Sequence, residues 1–186
     1  MGGALGVAGV SLGLGAAVLG FLTLVVGLVR HRPHLLRFGK VYAVLVLLGA
    51  VLAFVAMEIA LFQRDFTLAY VAQVGSSKTP PLYNFAALWS SLEGSLILWV
   101  LILSGYVVAV VWRFRSRWDD PLVGWALATL FVICGFFFLL LFGPANPFKE
   151  VAGAVPLDGP GPNPLLQNHP LMAVHPPILY LSLIHI

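Results

Sequence analysis

Charge is what this 186-residue chain has least of: Asp, Glu, Lys and Arg make up 9% of it, against about a quarter in soluble domains. That shortage excludes a fully solvated globular surface. Cysteine is nearly absent as well. Cys134 stands alone inside an apolar run, which excludes a disulfide framework, a thiol redox pair and a CxxCH motif for attaching haem to this chain itself. The net charge of +3 comes mostly from two short basic connections, so it describes topology and contact with lipid headgroups rather than nucleic acid. What fills the chain is apolar: 60% hydrophobic residues and a mean hydropathy of +0.99 mark an integral membrane protein.

A bilayer crossing takes about 20 apolar residues. Runs of that kind cover 5–29, 41–62, 95–112 and 121–142, and Glu58 is the single charge within them. A fifth run opens at Pro176 and is cut short at Ile186. The expected fold is therefore all-α, a polytopic membrane helical bundle with four complete transmembrane helices and a truncated fifth. The connection 30–40 carries Arg30, Arg32, Arg37 and Lys40, and 113–120 carries Arg113, Arg115 and Arg117. Lys and Arg beside spans stay inside, so both connections are expected to be cytoplasmic. The alternate loops, 63–94 and 143–175, hold Arg64, Lys78 and Lys149 as their only Lys or Arg, and they face outward together with the N-terminus. Met1 to Val29 lacks a basic n-region, so the first run is expected to remain as an N-out span rather than a cleaved signal.

The two outward loops exceed the roughly 15 residues beyond which a connection is usually functional or disordered. Composition argues against disorder. The first interleaves Phe66, Tyr70, Tyr83, Phe85 and Trp89 with turn residues, and such rings favour the headgroup level. Pro80 and Pro81 divide it, and its second half leads into the third span. The second loop opens with GPANPF and continues through LDGPGPNP, a density of turn formers that excludes helix. The following LLQNHPLMAV reads as a short interfacial helix or an extended approach to the membrane.

His175 precedes Pro176 and Pro177, which are tolerated in the first turn of a helix. It is thus expected to cap the fifth span, where the positive helix end leaves a neutral ring able to ligate a metal such as haem iron. The plainer alternative is a cap or a hydrogen bond to a loop carbonyl. His169, before Pro170, is a second ligand, a gate or an ordinary solvated loop histidine; His31 and His34 lie among the basic residues and read as topology charge. Glu93 follows Ser90 at the spacing of a capping box, and it is also placed to orient a histidine or bind a cation among Trp89 and Trp99. Glu58 belongs inside the bundle, with Arg64 as a candidate partner. The pairs Gly2 with Gly6 and Gly9 with Gly13 have the small-xxx-small spacing of close helix packing. The five tryptophans lie mostly near predicted span ends, as belts do.

Four strings in order, DFTLAYVA (Asp65 to Ala72), LWSSLEGSLILW (Leu88 to Trp99), NPF (Asn146 to Phe148) and NPLLQNHPLMAVHPPILY (Asn163 to Tyr180), resemble the N-terminal part of the CcmF/NrfE family. These are large membrane subunits of the haem lyase in cytochrome c maturation. The first sixty residues agree in hydropathy alone. The third-span motif usually reads W-G-x-x-E-G-S-L-L-L-W; here Ser90 replaces the glycine and Ile97 a leucine. The resemblance implies a haem b site at the outer face of a bacterial plasma membrane. It assigns His175 as one of two outer axial ligands, with Glu93, Trp89, Trp99 and His169 as further cofactor-binding candidates. It also implies a haem chaperone, apocytochrome c and other maturation subunits as partners, and a lyase activity of the full-length protein that this chain alone does not run. The second outer histidine and the tryptophan-rich haem platform of the family do not occur in this chain. SLIHI at Ser182 to Ile186 departs from the family's glycine-containing helix and reads as foreign, so His185 is not counted as a ligand. The competing class is a haem-free transporter or channel fragment, with Glu58 or Glu93 on an ion path.

Overall fold

The computed structural model describes residues 2–118, 120–167 and 169–185, the last two of these by backbone alone; Asn168 of the fourth string and Ile186 of the terminal SLIHI lie outside the described residues. Nine α-helices are seen among them: α1 (Gly2–Val29), α2 (Pro33–Leu36), α3 (Gly39–Gln63), α4 (Ala69–Val74), α5 (Pro81–Ala86), α6 (Leu92–Arg113), α7 (Pro121–Phe142), α8 (Pro164–Gln167) and α9 (Pro170–His185). A 3-10 turn at Ala87–Trp89 links α5 to α6. The stretches Gly2–Val29, Pro33–Gln63, Leu92–Arg113 and Pro121–Phe142 are long and apolar enough to cross a membrane, and the chain is a multi-pass helical membrane bundle. In lipid every backbone polar group needs an internal partner, which is why unbroken apolar runs fold as helices.

The helix ends obey local chemistry. Pro121 opens α7, and the Asp120 carboxylate accepts the Leu122 N–H at 2.9 Å. At the end of α3 Arg64 turns left-handed (φ 57°), and the N–H of Asp65 reaches back to the Ala60 carbonyl at 2.9 Å.

Small residues set the packing. A Cβ on Gly49 of α3 would lie 2.6 Å from the Gly13 nitrogen and 2.7 Å from the Gly9 oxygen of α1, so the two backbones touch. Buried Ala53, Ala56 and Ala60 continue this small-residue stripe along α3. On another side of α1 the Phe138 ring of α7 lies over Gly13, and Phe131 packs against Gly20. α6 packs against α3 and α7. Near the N-terminal end of α1, Gly3 meets Leu68 and Gly6 meets the Phe148 ring, which brings both long connections to that end. At the other end Gly27 meets Leu35 and Leu36, and Gly124 meets Leu28, where the basic connections lie.

One expectation needs correction. The helix that contains Pro176 and Pro177 does not begin there: α9 starts at Pro170 and runs through both prolines. His175 is therefore in the second turn of α9 and not at its cap, and the helix macrodipole, which acts within the first turn, does not bear on it.

Candidate functional site

The four strings meet at the end of the bundle where the long connections lie. Tyr70 of the first donates its hydroxyl to the Leu88 carbonyl of the second at 2.7 Å, sharing it with Ala87 at 3.2 Å. Burial pushes the Tyr70 phenol above its ordinary value, and the nearby Glu93 charge pushes it further, so the ring stays a donor. The segment about Leu68 pairs antiparallel with Glu150: the Ala69 N–H reaches the Lys149 carbonyl at 2.8 Å, and the Val151 N–H reaches Thr67 at 2.9 Å. That pairing fixes the chain just after the NPF string. There the Asn146 side chain accepts the Phe148 N–H at 2.9 Å, and the Phe148 ring fills the space left by Gly6.

The second string holds the fourth. Trp89 donates its indole N–H to the Ala173 carbonyl at 2.9 Å. This bond has a cause inside α9: Ala173 is four residues before Pro177, which has no N–H to give it. The indole takes the place of the missing helical donor. Two helical turns beyond Ala173, Tyr180 rests against Trp99, ring centroids 5.3 Å apart, and Trp99 in turn meets Phe137 at 5.5 Å. The Trp89 ring is braced edge-on by Phe85 at 5.2 Å. Phe85, Trp89, Phe54, Val174 and Pro177 help line an apolar hollow of about 340 Å3 between α3, α5, α6 and α9.

α9 shows two faces. Ala173 is buried, and Pro176, Pro177 and Tyr180 are partly so, whereas Leu171, His175, Ile178 and Leu179 are exposed. His175 points away from the bundle described here. No contact joins its ring to Trp89, Trp99 or Glu93 among the described residues; these three lie in the turn before α6 and in its first turns. His169 takes the capping place expected of His175: its Nδ1 accepts the Leu171 N–H at 3.2 Å, and its carbonyl accepts the Met172 N–H at 2.9 Å.

Glu93 is half-buried, with Oε2 enclosed and without a hydrogen-bond partner among the described residues. The capping box with Ser90 does not form. Ser91 is the residue before α6, with no side-chain cap, and the Ser90 hydroxyl donates instead to the Ala87 carbonyl at 2.8 Å. The 3-10 turn at Ala87–Trp89 carries Ser90 one place too early to reach the first free amides of α6. Ser95 completes the motif by donating to the Trp89 carbonyl at 3.1 Å. Glu58 is buried on α3, both oxygens unpartnered among the described residues. Arg64 is not its partner, for the guanidinium donates to the Ser77 carbonyl at 3.0 Å.

The sequence placed Tyr70 as a ring at the headgroup level, whereas it is a buried donor, and the Ala173 carbonyl was missed. Counting four residues back from Pro177 points to the carbonyl, but nothing in the sequence says that Trp89 supplies the donor.

A four-span helical bundle with folded connections at one end, carrying an exposed imidazole on the shorter helix α9, defines a polytopic membrane protein with a candidate site at one end of the bundle. No family model matches the chain. It is 34% identical over 92% of its length to the cytochrome c-type biogenesis protein CcmF of Escherichia coli K12, covering 26% of that protein. Against CcmF of Pseudomonas aeruginosa it is 40% identical over 70% of its length, covering 20%. The solved structure of the cytochrome c haem lyase CcmF matches 99% of the chain with a TM-score of 0.84 at 33% identity, and 28% of that structure is covered. The chain belongs to the CcmF/NrfE family of cytochrome c-type biogenesis proteins, and it spans about a quarter of the length of these relatives.

Proposed function

We propose that the full-length protein acts in cytochrome c maturation, handling haem and attaching it to apocytochrome c at the outer face of the bacterial plasma membrane, and that this chain supplies one wall of the haem site. The long connections then lie on the periplasmic side and the basic ones in the cytoplasm, as the positive-inside rule requires. The observation that carries the reading is the latch between Trp89 and Ala173. It ties the aromatic end of α6 to α9 and presents His175 on the opposite, open face.

The residues present fit one half of a haem b site. His175 offers an exposed imidazole, a ligand type that haem iron accepts, flanked by exposed Leu171, Ile178 and Leu179, which suit an apolar macrocycle. When bound, haem would supply an iron that accepts an imidazole ligand and vinyl groups to which the CxxCH thiols of an apocytochrome can add. His175 would hold the iron through its imidazole. Trp89 and Trp99 fix the position of α9, the first through a hydrogen bond and the second through Tyr180. Glu93 sits behind them as a carboxylate with one free buried oxygen, and His169 holds the start of α9. A haem chaperone, apocytochrome c and other maturation subunits are the partners this role requires.

Replacing His175 with Ala in the full-length protein tests the reading. Haem retained through purification, read from Soret absorbance, is expected to fall, and c-type cytochrome assembly is expected to drop at least about tenfold, as the loss of a metal ligand does. Normal assembly with an unchanged Soret band overturns it.

A further inference from the structure

At the basic end of the bundle, opposite the candidate haem site, an open hollow of about 720 Å3 lies among the start of α3, the end of α6 and the connection that follows. Arg37 and Lys40 reach it from one basic connection and Arg115 from the other. Arg115 is held in place there: its guanidinium stacks over the Trp112 ring at 5.1 Å and donates to the Trp112 carbonyl at 3.3 Å. The walls are apolar, formed by Val108 and Val111 of the last turns of α6 with Trp112 and Trp118. Asp120 is engaged in capping α7 and does not line the hollow, and Arg37 also makes a contact within the protein.

We propose that this hollow is a binding site for one anionic phospholipid, its phosphate among Arg37, Lys40 and Arg115 and its acyl chains running along Val108 and Val111. Charge and position together select the ligand. A free inorganic anion has no use for tryptophan and valine walls, and a zwitterionic lipid gains little from three cations. An amphiphile with a net negative head uses both, and the hollow sits where the end of a span meets the headgroup layer. The positive-inside rule accounts for basic residues in each connection, but not for their convergence from two connections onto one tryptophan-walled hollow.

The test uses the full-length protein. Extracted in mild detergent and examined by native mass spectrometry, it is expected to retain phosphatidylglycerol or cardiolipin. The triple variant R37Q/K40Q/R115Q should retain at least about tenfold less, given the attraction each cation adds. The variant R30Q/R32Q/R117Q removes the same charge from the same connections outside the hollow and is expected to retain lipid as the wild type does. Equal retention in all three proteins, or equal loss in both variants, overturns the proposal, and so does displacement of the lipid by millimolar inorganic phosphate. A second measurement needs no variant: a photo-crosslinking phosphatidylglycerol in nanodiscs should label peptides containing residues 37–40 or 112–118. Labelling confined to other segments sinks the site.

Discussion

Gly94 is a position that no side chain can share. A Cβ there would collide with the Leu88 carbonyl oxygen and with the Tyr70 hydroxyl, the two atoms that join the first and second strings. Because the nearer obstacle is backbone, a rotamer change cannot relieve it. Gly94→Ala is expected to cost about 3 kcal/mol, the upper end of ordinary overpacking. Gly105 on the same helix has nothing within 4 Å of its added Cβ. Gly105→Ala should therefore be neutral or stabilising by up to about 1 kcal/mol, the helix-propensity difference alone. Thermal unfolding of the two purified variants checks the pair, and equal midpoints would remove the steric argument. Neighbouring Glu93 is open to a chemical role because it caps nothing: its enclosed Oε2 and the raised Tyr70 phenol belong to one small polar region in an apolar setting.

Among the elements, α9 is the one whose course local rules misjudge. A proline inside a helix normally costs about 3 kcal/mol, partly because a carbonyl loses its donor. Here the indole of Trp89 replaces the donor that Pro177 lacks, and the helix continues through Pro176 and Pro177. Trp89→Phe keeps an aromatic ring beside Phe85 but leaves the Ala173 carbonyl without its bond, a loss of about 1–3 kcal/mol for a buried acceptor. Amide exchange in α9 is expected to quicken in that variant while exchange in α1 and α3 stays unchanged; uniform quickening would show a general loss of fold instead. The long spans were open to sequence reading because lipid leaves an apolar run little choice but helix. The start of α9 was not, because His-Pro occurs at both 169–170 and 175–176 and either pair resembles a helix opening. Only the tertiary bond to Trp89 decides between them. Gly49 was missed for a different reason: its small partner four residues on is Ala53, a less conspicuous pair than Gly9 with Gly13, yet Gly49 touches both of those glycines.

Across the whole molecule the two long connections form one cap over the spans. The Arg64 guanidinium reaches Ser77, the Gly161 N–H reaches the Gly75 carbonyl at 3.0 Å, and the Ser77 amide and hydroxyl both donate to the Asp158 carboxylate, at 2.8 and 2.6 Å. Aromatic and turn residues announced that these loops are folded, but not that they fold onto each other, since the pairing joins segments some 80 residues apart in sequence. Asp158 makes that junction sensitive to acid. Hydrogen bonds from the Ser77 hydroxyl and amide hold its carboxyl below the ordinary value of 3.8 against the opposing effect of desolvation, with a lesser contribution from the Gly159 amide. A carboxyl depressed in the folded state contributes stability above its unfolded value and loses it as pH falls through the folded one. The cap should thus be indifferent to pH from 7 down to about 5 and loosen only in strong acid, below the free carboxyl value. Hydrogen exchange, corrected for intrinsic rates, is expected to show constant protection of Ser77 and Gly159 across the neutral range. Asp158→Ala, which removes all three bonds, should weaken protection at every pH. Protection in the wild type that falls between pH 7 and 5 would assign the junction to a different titrating group, and unchanged protection in Asp158→Ala would show that backbone pairing at Gly75 and Leu68 closes the cap by itself.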